Sequence, residues 1–217
     1  MKAIIIGSGT YGQVYAEYLR ENGQYEIIGF LDDDLAKTGL NILGIKVLGV
    51  VSLLETIENK ESISVFVAIG NNKVRLKILK YVEKLGYKTP GFIHSSCNIP
   101  ISVEIGKSVY ILPGCNIMPR TILHDYVMIS MGVNIAHHVI VESGCFFSQG
   151  ANVGASITIG EQSLIGIGST IKTNVKRIGK NVLIGAGAVV IRDVPDNAVI
   201  VGNPGKILRY QSELSSD

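Results

Sequence analysis

Val153-Gly-Ala-Ser-Ile-Thr-Ile159-Gly-Glu-Gln-Ser-Leu-Ile165-Gly-Ile-Gly-Ser-Thr-Ile171 carries an aliphatic residue at every sixth position, three times followed by glycine. Carried backwards, the same frame meets Phe147, Val141, Ile135, Ile129, Leu123, Ile117, Ile111, Ile105 and Ile99, all apolar. Thirteen hits in one fixed frame, in a chain that is 47% apolar, have a chance of roughly one in ten thousand. The period is therefore structural. After a one-residue slip the frame resumes at Ile178, Ile184 and Val190. Gly106, Gly154, Gly160, Gly166, Gly179 and Gly185 directly follow frame residues, which points to tight corners that demand small side chains. Each coil is about three short strands, and stacked coils bury a continuous aliphatic column. The pattern reads as a parallel β-solenoid of about five coils; the period does not set its hand.

Upstream of about Gly91 the pattern changes. Lys2 to Ile6 is a β-branched run, followed by Gly7-Ser8-Gly9-Thr10-Tyr11-Gly12 and by Val14, Tyr15, Tyr18 and Leu19 at helical spacing. A second strand, Glu26 to Leu31, runs into Asp32-Asp33-Asp34. A third, Ser64 to Ile69, ends in Gly70-Asn71-Asn72 before a basic helix through Lys84. Alternating strands and helices predict a small parallel sheet with right-handed crossovers, whose ligand sits beyond the strand C-termini. The expected organisation is α/β plus β-solenoid: a Rossmann-like domain over residues 1–92 and a β-helix over 93–217.

Twenty Lys and Arg against eighteen Asp and Glu leave a net charge of +2, which argues against nucleic acid as a partner. No stretch approaches about eighteen uninterrupted apolar residues, and the start MKAIIIGSG meets glycine too soon for a signal peptide. A cytoplasmic protein without a membrane span is expected. Cys97, Cys115 and Cys145 lack the paired spacing of a zinc knuckle or CxxC motif and are expected as reduced, partly buried thiols. No metal site is expected, because the four histidines show no ligand spacing.

Gly7 to Gly12 fits G-x-G-x-x-G between a strand and a helix, so backbone N–H groups can face a phosphate. Asp32 stands twenty residues past Gly12, placed for a ribose hydroxyl. A nucleotide or nucleotide-sugar phosphate fits best, since fewer than about ninety residues precede the solenoid, too few for two mononucleotide halves. NAD and a purely structural glycine turn stay open. His137 and His138 follow the inward Ile135 by two and three residues, and strand alternation would send them to opposite faces. Imidazole is suited to take a proton near neutral pH, and a surface histidine that only stacks on a coil is the alternative. At the end of the solenoid Val201-Gly202-Asn203-Pro204-Gly205-Lys206 is either a plain cap or a place where Lys206 meets phosphates.

Tandem [LIV]-G-x4 repeats after GSGTYG, with FLDDD, VAIGNN, a mid-repeat histidine and a terminal GNPGK, resemble one family over Ile4 to Lys206. It is the bacterial hexapeptide-repeat sugar acyltransferases of the PglD/NeuD type. The resemblance implies a left-handed parallel β-helix, a homotrimer with active sites in clefts between neighbouring β-helices, acetyl-CoA along the coils and a UDP-amino sugar held by the N-terminal domain. It places His137 as general base and His138 beside it, where the family usually has an acidic residue; Asp125 or Glu142 is then a candidate to orient His137. Gly7, Ser8, Gly9, Thr10, Tyr11, Gly12, Asp32, Asp33, Gly70 and Asn71 are carried onto the nucleotide-sugar loops, and Ser130 onto a sugar contact. Phe146, Gly150, Ala155, Ile167, Ala186 and Lys206 are carried onto acetyl-CoA. The activity implied is direct N-acetylation of a UDP-linked 4-amino-4,6-dideoxy-N-acetyl hexosamine, without an acyl-enzyme. O-acetylation of a sialic-acid-like sugar, N-acetylation of a GDP-amino sugar and a non-catalytic nucleotide-sugar-binding module are the alternatives.

Overall fold

The computed structural model describes residues 1–211, in two compact units, Met1–Pro90 and one beginning at Gly91. The last residues of the expected second domain, 212–217, lie outside the described residues. The first unit ends two residues before the expected boundary at 92/93. Phe92–Ile93 pairs in parallel with Tyr110–Ile111 and already belongs to the solenoid.

In the first unit β1 (Lys2–Ile6) lies between β2 (Glu26–Leu31) and β5 (Ile63–Val67), parallel to both. Its β-branched run is buried on both faces, as a central parallel strand requires: Ile4, Ile5 and Ile6 are at most 1% exposed. Helix α1 (Thr10–Asn22) turns Gly12, Tyr15, Ala16 and Leu19 inward and stops at Gly23, whose φ of 72° suits glycine. Helix α2 (Asn72–Lys84) buries Leu76, Leu79 and Val82. The sequence reading did not anticipate β3 (Asn41–Ile42) and β4 (Ile45–Gly49), an antiparallel hairpin whose second strand extends the sheet beside β2. The strand order β3-β4-β2-β1-β5 makes β1 the switch point, because the chain builds first to one side of it and then to the other. The loops after β1, β2 and β5 therefore converge at one edge. Gly7 N donates to Leu31 O at 2.8 Å and Ala68 N to Ile6 O at 3.0 Å.

The second unit is a left-handed parallel β-helix. Two-residue strands stack every eighteen residues, as in Ile111, Ile129, Phe147 and Ile165, all fully buried. The interval then lengthens, with Ile165 opposite Ile184. The extra residue is absorbed at the corner Thr173–Val175, where Asn174 takes φ 84°. The glycines after frame residues are there for close approach rather than for corner conformation: a Cβ on Gly154 or Gly166 would overlap backbone of the next coil. Left-handed backbone falls later in each hexad, at Gly132, Gly150, Gly168 and Gly187 along one corner and at Arg120, His138, Ser156 and Asn174 along the next. The interior thiols bond upward. Cys97, Cys115 and Cys145 donate to Leu112 O, Ser130 O and Gly160 O at 3.2, 3.0 and 3.1 Å. All three are free thiols, Cys97 half-buried and the others buried. The antiparallel strands Ala198–Val201 and Lys206–Tyr210 follow the last coil. Among the described residues no helix is long and apolar enough to cross a membrane.

Candidate functional sites

The converging loops of the first unit bring together Gly7 to Gly12, Asp32, Asp33, Gly70 and Asn71. Their chemistry differs from the sequence expectation in one respect. Asp32 Oδ2 accepts from Ser8 N at 2.9 Å, Ser8 Oγ at 2.6 Å and Lys37 Nζ at 3.0 Å, while Oδ1 accepts from Asp34 N at 3.1 Å. Partial burial works against the charged form, but the Ser8 and Lys37 hydrogen bonds outweigh it and hold the Asp32 carboxyl down at about 2. Its bond to Asp32 in turn raises the Lys37 ammonium above its ordinary value. Asp32 is thus an organiser of the glycine loop rather than an uncommitted acceptor for a ribose hydroxyl, and the Ser8 N–H expected to face a phosphate is already used.

What stays open at this edge is the start of α1. Gly9 caps the helix without a side-chain bond, and a Cβ built there meets nothing within 4 Å. Thr10 is exposed and Tyr11 half-buried. The third glycine has the opposite surroundings, since a Cβ on Gly12 would overlap the Gly7 carbonyl. Asn71 spends its Oδ1 on Val74 N at 3.1 Å as the cap of α2, and Asp33 Oδ1 accepts from Val51 N at 2.9 Å. Gly70 is half-exposed with open space about it. Two residues were missed from sequence. Lys37 completes the Asp32 cluster, and the fully buried Arg75 donates to Ile69 O at 3.1 Å, Gly70 O at 3.4 Å and Asn72 Oδ1 at 2.8 Å. A cation on the inward phase of α2, four residues before Leu79 and seven before Val82, was the available signal for Arg75.

In the solenoid His137 and His138 occupy a turn, so the strand-alternation argument that sent them to opposite faces does not apply. Both are exposed, their rings stand at 89°, and Nδ1 of one lies 2.9 Å from Nδ1 of the other. Neither candidate carboxylate serves them. Asp125 Oδ1 accepts from Lys107 N at 2.9 Å and Glu142 Oε2 from Glu161 N at 3.2 Å. Ala155 stacks one coil beyond His137 on the same corner, where Ser156 N donates to His137 O at 3.0 Å. The Ala155 N–H takes no partner among the described residues.

Gly150, Ile167 and Ala186 line the preceding corner, joined coil to coil by Gly168 N to Gln149 O and Gly187 N to Ile167 O at 2.9 and 2.8 Å. Between the two corners runs a sheet whose outer face bears a ladder of amides: Asn116 Nδ2 donates to Asn134 Oδ1 and Asn134 Nδ2 to Asn152 Oδ1, each at 2.9 Å. Beside it lies a cavity of about 410 Å³ that reaches Ala136, Gly154 and Thr173. Phe146 is half-buried on a different sheet, paired with Met128 and Leu164. Ser130, expected to meet a sugar, is only 1% exposed, with its N–H on Phe147 O at 2.8 Å, and joins neither cluster. Lys206 is exposed and shares a second cavity of about 410 Å³ with Arg192 and Asp193.

Residues 2–82 match the PglD N-terminal domain family. The acetyltransferase domain of PglB from Neisseria gonorrhoeae FA1090 superposes with a TM-score of 0.89 at 33% identity, over 95% of this chain and 99% of that one. PerB from Caulobacter crescentus, solved with CoA and GDP-perosamine, gives a TM-score of 0.88 at 29% identity, over 95% and 97%. The serine acetyltransferase of Synechococcus elongatus is 42% identical over 60 residues, 28% of this chain and 24% of that protein. The matched stretches span 30% or less of the curated relatives. With the glycine-loop unit, the hexad solenoid and near-complete superposition on the acetyltransferase domain of PglB agreeing, the chain belongs to the hexapeptide-repeat sugar N-acetyltransferases of the PglD family.

Proposed function

We propose that this protein transfers the acetyl group of acetyl-CoA directly to the 4-amino group of a UDP-linked 4-amino-4,6-dideoxy-N-acetyl hexosamine, a bacillosamine-type sugar. The observation that carries the reading is the exposed His137 ring, bonded through Nδ1 to His138 and stacked one coil below the uncommitted N–H of Ala155. An amine must be neutral to attack a thioester carbonyl. As its nitrogen bonds to the acetyl carbon it sheds a proton, which His137 Nε2 accepts directly or through a water. The Ala155 N–H, about 4.8 Å along the stack, supports the oxyanion. The C–S bond then breaks, and the imidazolium returns its proton to the CoA thiolate. No acyl-enzyme is needed.

The open start of α1 at Gly9 and Thr10, with Gly70, suits the nucleotide-sugar. Gly150, Ile167 and Ala186 suit acetyl-CoA along one corner, with Lys206 and Arg192 available to its phosphates and Phe146 offering an apolar contact. The working form is a homotrimer acting in the cytoplasm. A second reading, a GDP-linked amino sugar, is favoured by the likeness to PerB, whose structure holds GDP-perosamine.

The test is release of free CoA thiol from acetyl-CoA with a panel of acceptors: UDP-4-amino sugars, UDP-GlcNAc, a GDP-amino sugar and free sialic acid. Turnover with the UDP-4-amino sugar supports the proposal, and turnover with the GDP-amino sugar alone moves it to the second reading. A hydroxyl acceptor as sole substrate would mean O-acetylation. Silence across the panel with UDP-sugar still bound would mean a binding module.

A further inference from the structure

We infer that His138 is a positioning residue that selects the reactive tautomer of His137, acting as a neutral hydrogen-bond acceptor. The inference rests on the assignment of His137 as the base. A neutral imidazole carries one proton on two nitrogens. A bond between two Nδ1 atoms 2.9 Å apart takes one Nδ1 proton and one Nδ1 lone pair. The two outward Nε2 atoms are then complementary, one a lone pair and the other an N–H. For His137 Nε2 to receive a proton from an amine, His137 must donate from Nδ1 and His138 must accept, keeping its own proton on Nε2.

The turn holds this arrangement in place. His137 O accepts from Ser156 N at 3.0 Å, His138 N donates to Pro119 O at 3.3 Å, and His138 takes φ 56°, a region that histidine and asparagine enter more readily than most side chains. The rings meet edge to face with centroids 5.1 Å apart, so the nitrogens point at each other rather than stack. Among the described residues no carboxylate competes for the His137 Nδ1 proton, since Asp125 and Glu142 bind backbone N–H groups of neighbouring coils. After His137 takes a proton its Nδ1–H still faces the His138 lone pair. The geometry therefore survives the proton transfer.

The direct test is long-range proton–nitrogen correlation on protein labelled with ¹⁵N-histidine, at a pH where both rings are neutral and with His137→Ala and His138→Asn used for assignment. Protonated Nδ1 on His137 with protonated Nε2 on His138 is expected. Nε2–H on both rings, or the reverse assignment, overturns the inference. This readout needs no substrate, so its failure is distinct from failure of the acetyl-transfer reading in the acceptor panel. The kinetic test compares His138→Asn, which keeps an acceptor near the Nδ1 position and suits the left-handed backbone, with His138→Leu, which has similar branching and no acceptor. His138→Leu is expected to lower kcat by about tenfold or more with KM for both substrates unchanged, in the direction that loss of the tautomer-setting carboxylate takes in Ser-His-Asp hydrolases. His138→Asn should recover most of that loss. Full activity of the leucine variant, or equal losses in both variants at unchanged Tm, overturns the inference.

Discussion

Cys145 and His137 sit close in sequence, and their surroundings separate them chemically. The Cys145 thiol is fully buried in the coil interior and donates to Gly160 O, which leaves it no access to a thioester. Serine in its place keeps a donor of similar size. Cys145→Ser is therefore expected to retain kcat within about threefold, whereas an acyl-enzyme mechanism would abolish turnover. His137 is exposed at a corner with one nitrogen held and the other free. Replacing it by alanine removes the proton acceptor and should lower kcat by roughly two to four decades. Steady-state thiol release measures both variants, and a His137→Ala loss below about threefold would remove His137 from the role.

The glycine loop between β1 and α1 shows how one motif can hold residues of opposite purpose. Gly12 has no room for a methyl group, because the helix packs its backbone on the Gly7 carbonyl, while Gly9 faces open space. Gly12→Ala should cost about 1–3 kcal/mol of stability, as overpacking generally does, and lower Tm. Gly9→Ala should leave Tm nearly unchanged and raise KM for the nucleotide sugar. The Asp32 cluster adds a pH dependence to the same element. Its folded-state pKa of about 2 lies below the ordinary 3.8, so its stabilisation is complete above about pH 4 and is lost as pH falls towards 2. Thermal melts should show Asp32→Asn to be less stable than the parent chain at pH 7, with the gap closing across that window. The hexad solenoid was legible because burial recurs at a fixed interval along the chain and needs no knowledge of distant partners. The Asp32 cluster was legible only as separate residues: the motif reading places Asp32 for a ribose hydroxyl, whereas the pairing of β1 with β2 brings its carboxylate onto the N–H and hydroxyl of Ser8. The histidine pair was legible as two residues and misread in orientation: period-two alternation holds for strands, and each strand here lasts two residues before the chain turns.

At the scale of the whole molecule, the proposed base and the proposed acetyl-CoA surface occupy different corners of the same coil. His137 and Ala155 share one corner, while Gly150, Ile167 and Ala186 line the preceding one. A hexad separates the corners, up to about 20 Å at about 3.3 Å per residue. Acetyl-CoA bound along the proposed corner would then lie one side of the coil away from the His137 of its own chain, and a second copy would be needed to present that corner to it. The solenoid also exposes Met118, Met131, Ile140 and Ile167 by 36% or more, apolar surface that self-association would cover. A closed trimer built this way has three sites, each using His137 of one chain and the acetyl-CoA corner of the next. Light scattering should then give about three times the 23.3 kDa chain mass. A sharper consequence concerns mixed assemblies. His137→Ala and Ala186→Glu, the second an exposed position where an added acid would repel CoA phosphates, should each be nearly inactive alone. Co-refolded at equal amounts, random trimers would pair an intact His137 with an intact corner at about a quarter of their sites, and about a quarter of parental kcat should return. No recovery from mixed trimers of verified composition would place the base and the acetyl-CoA surface of each site on a single chain.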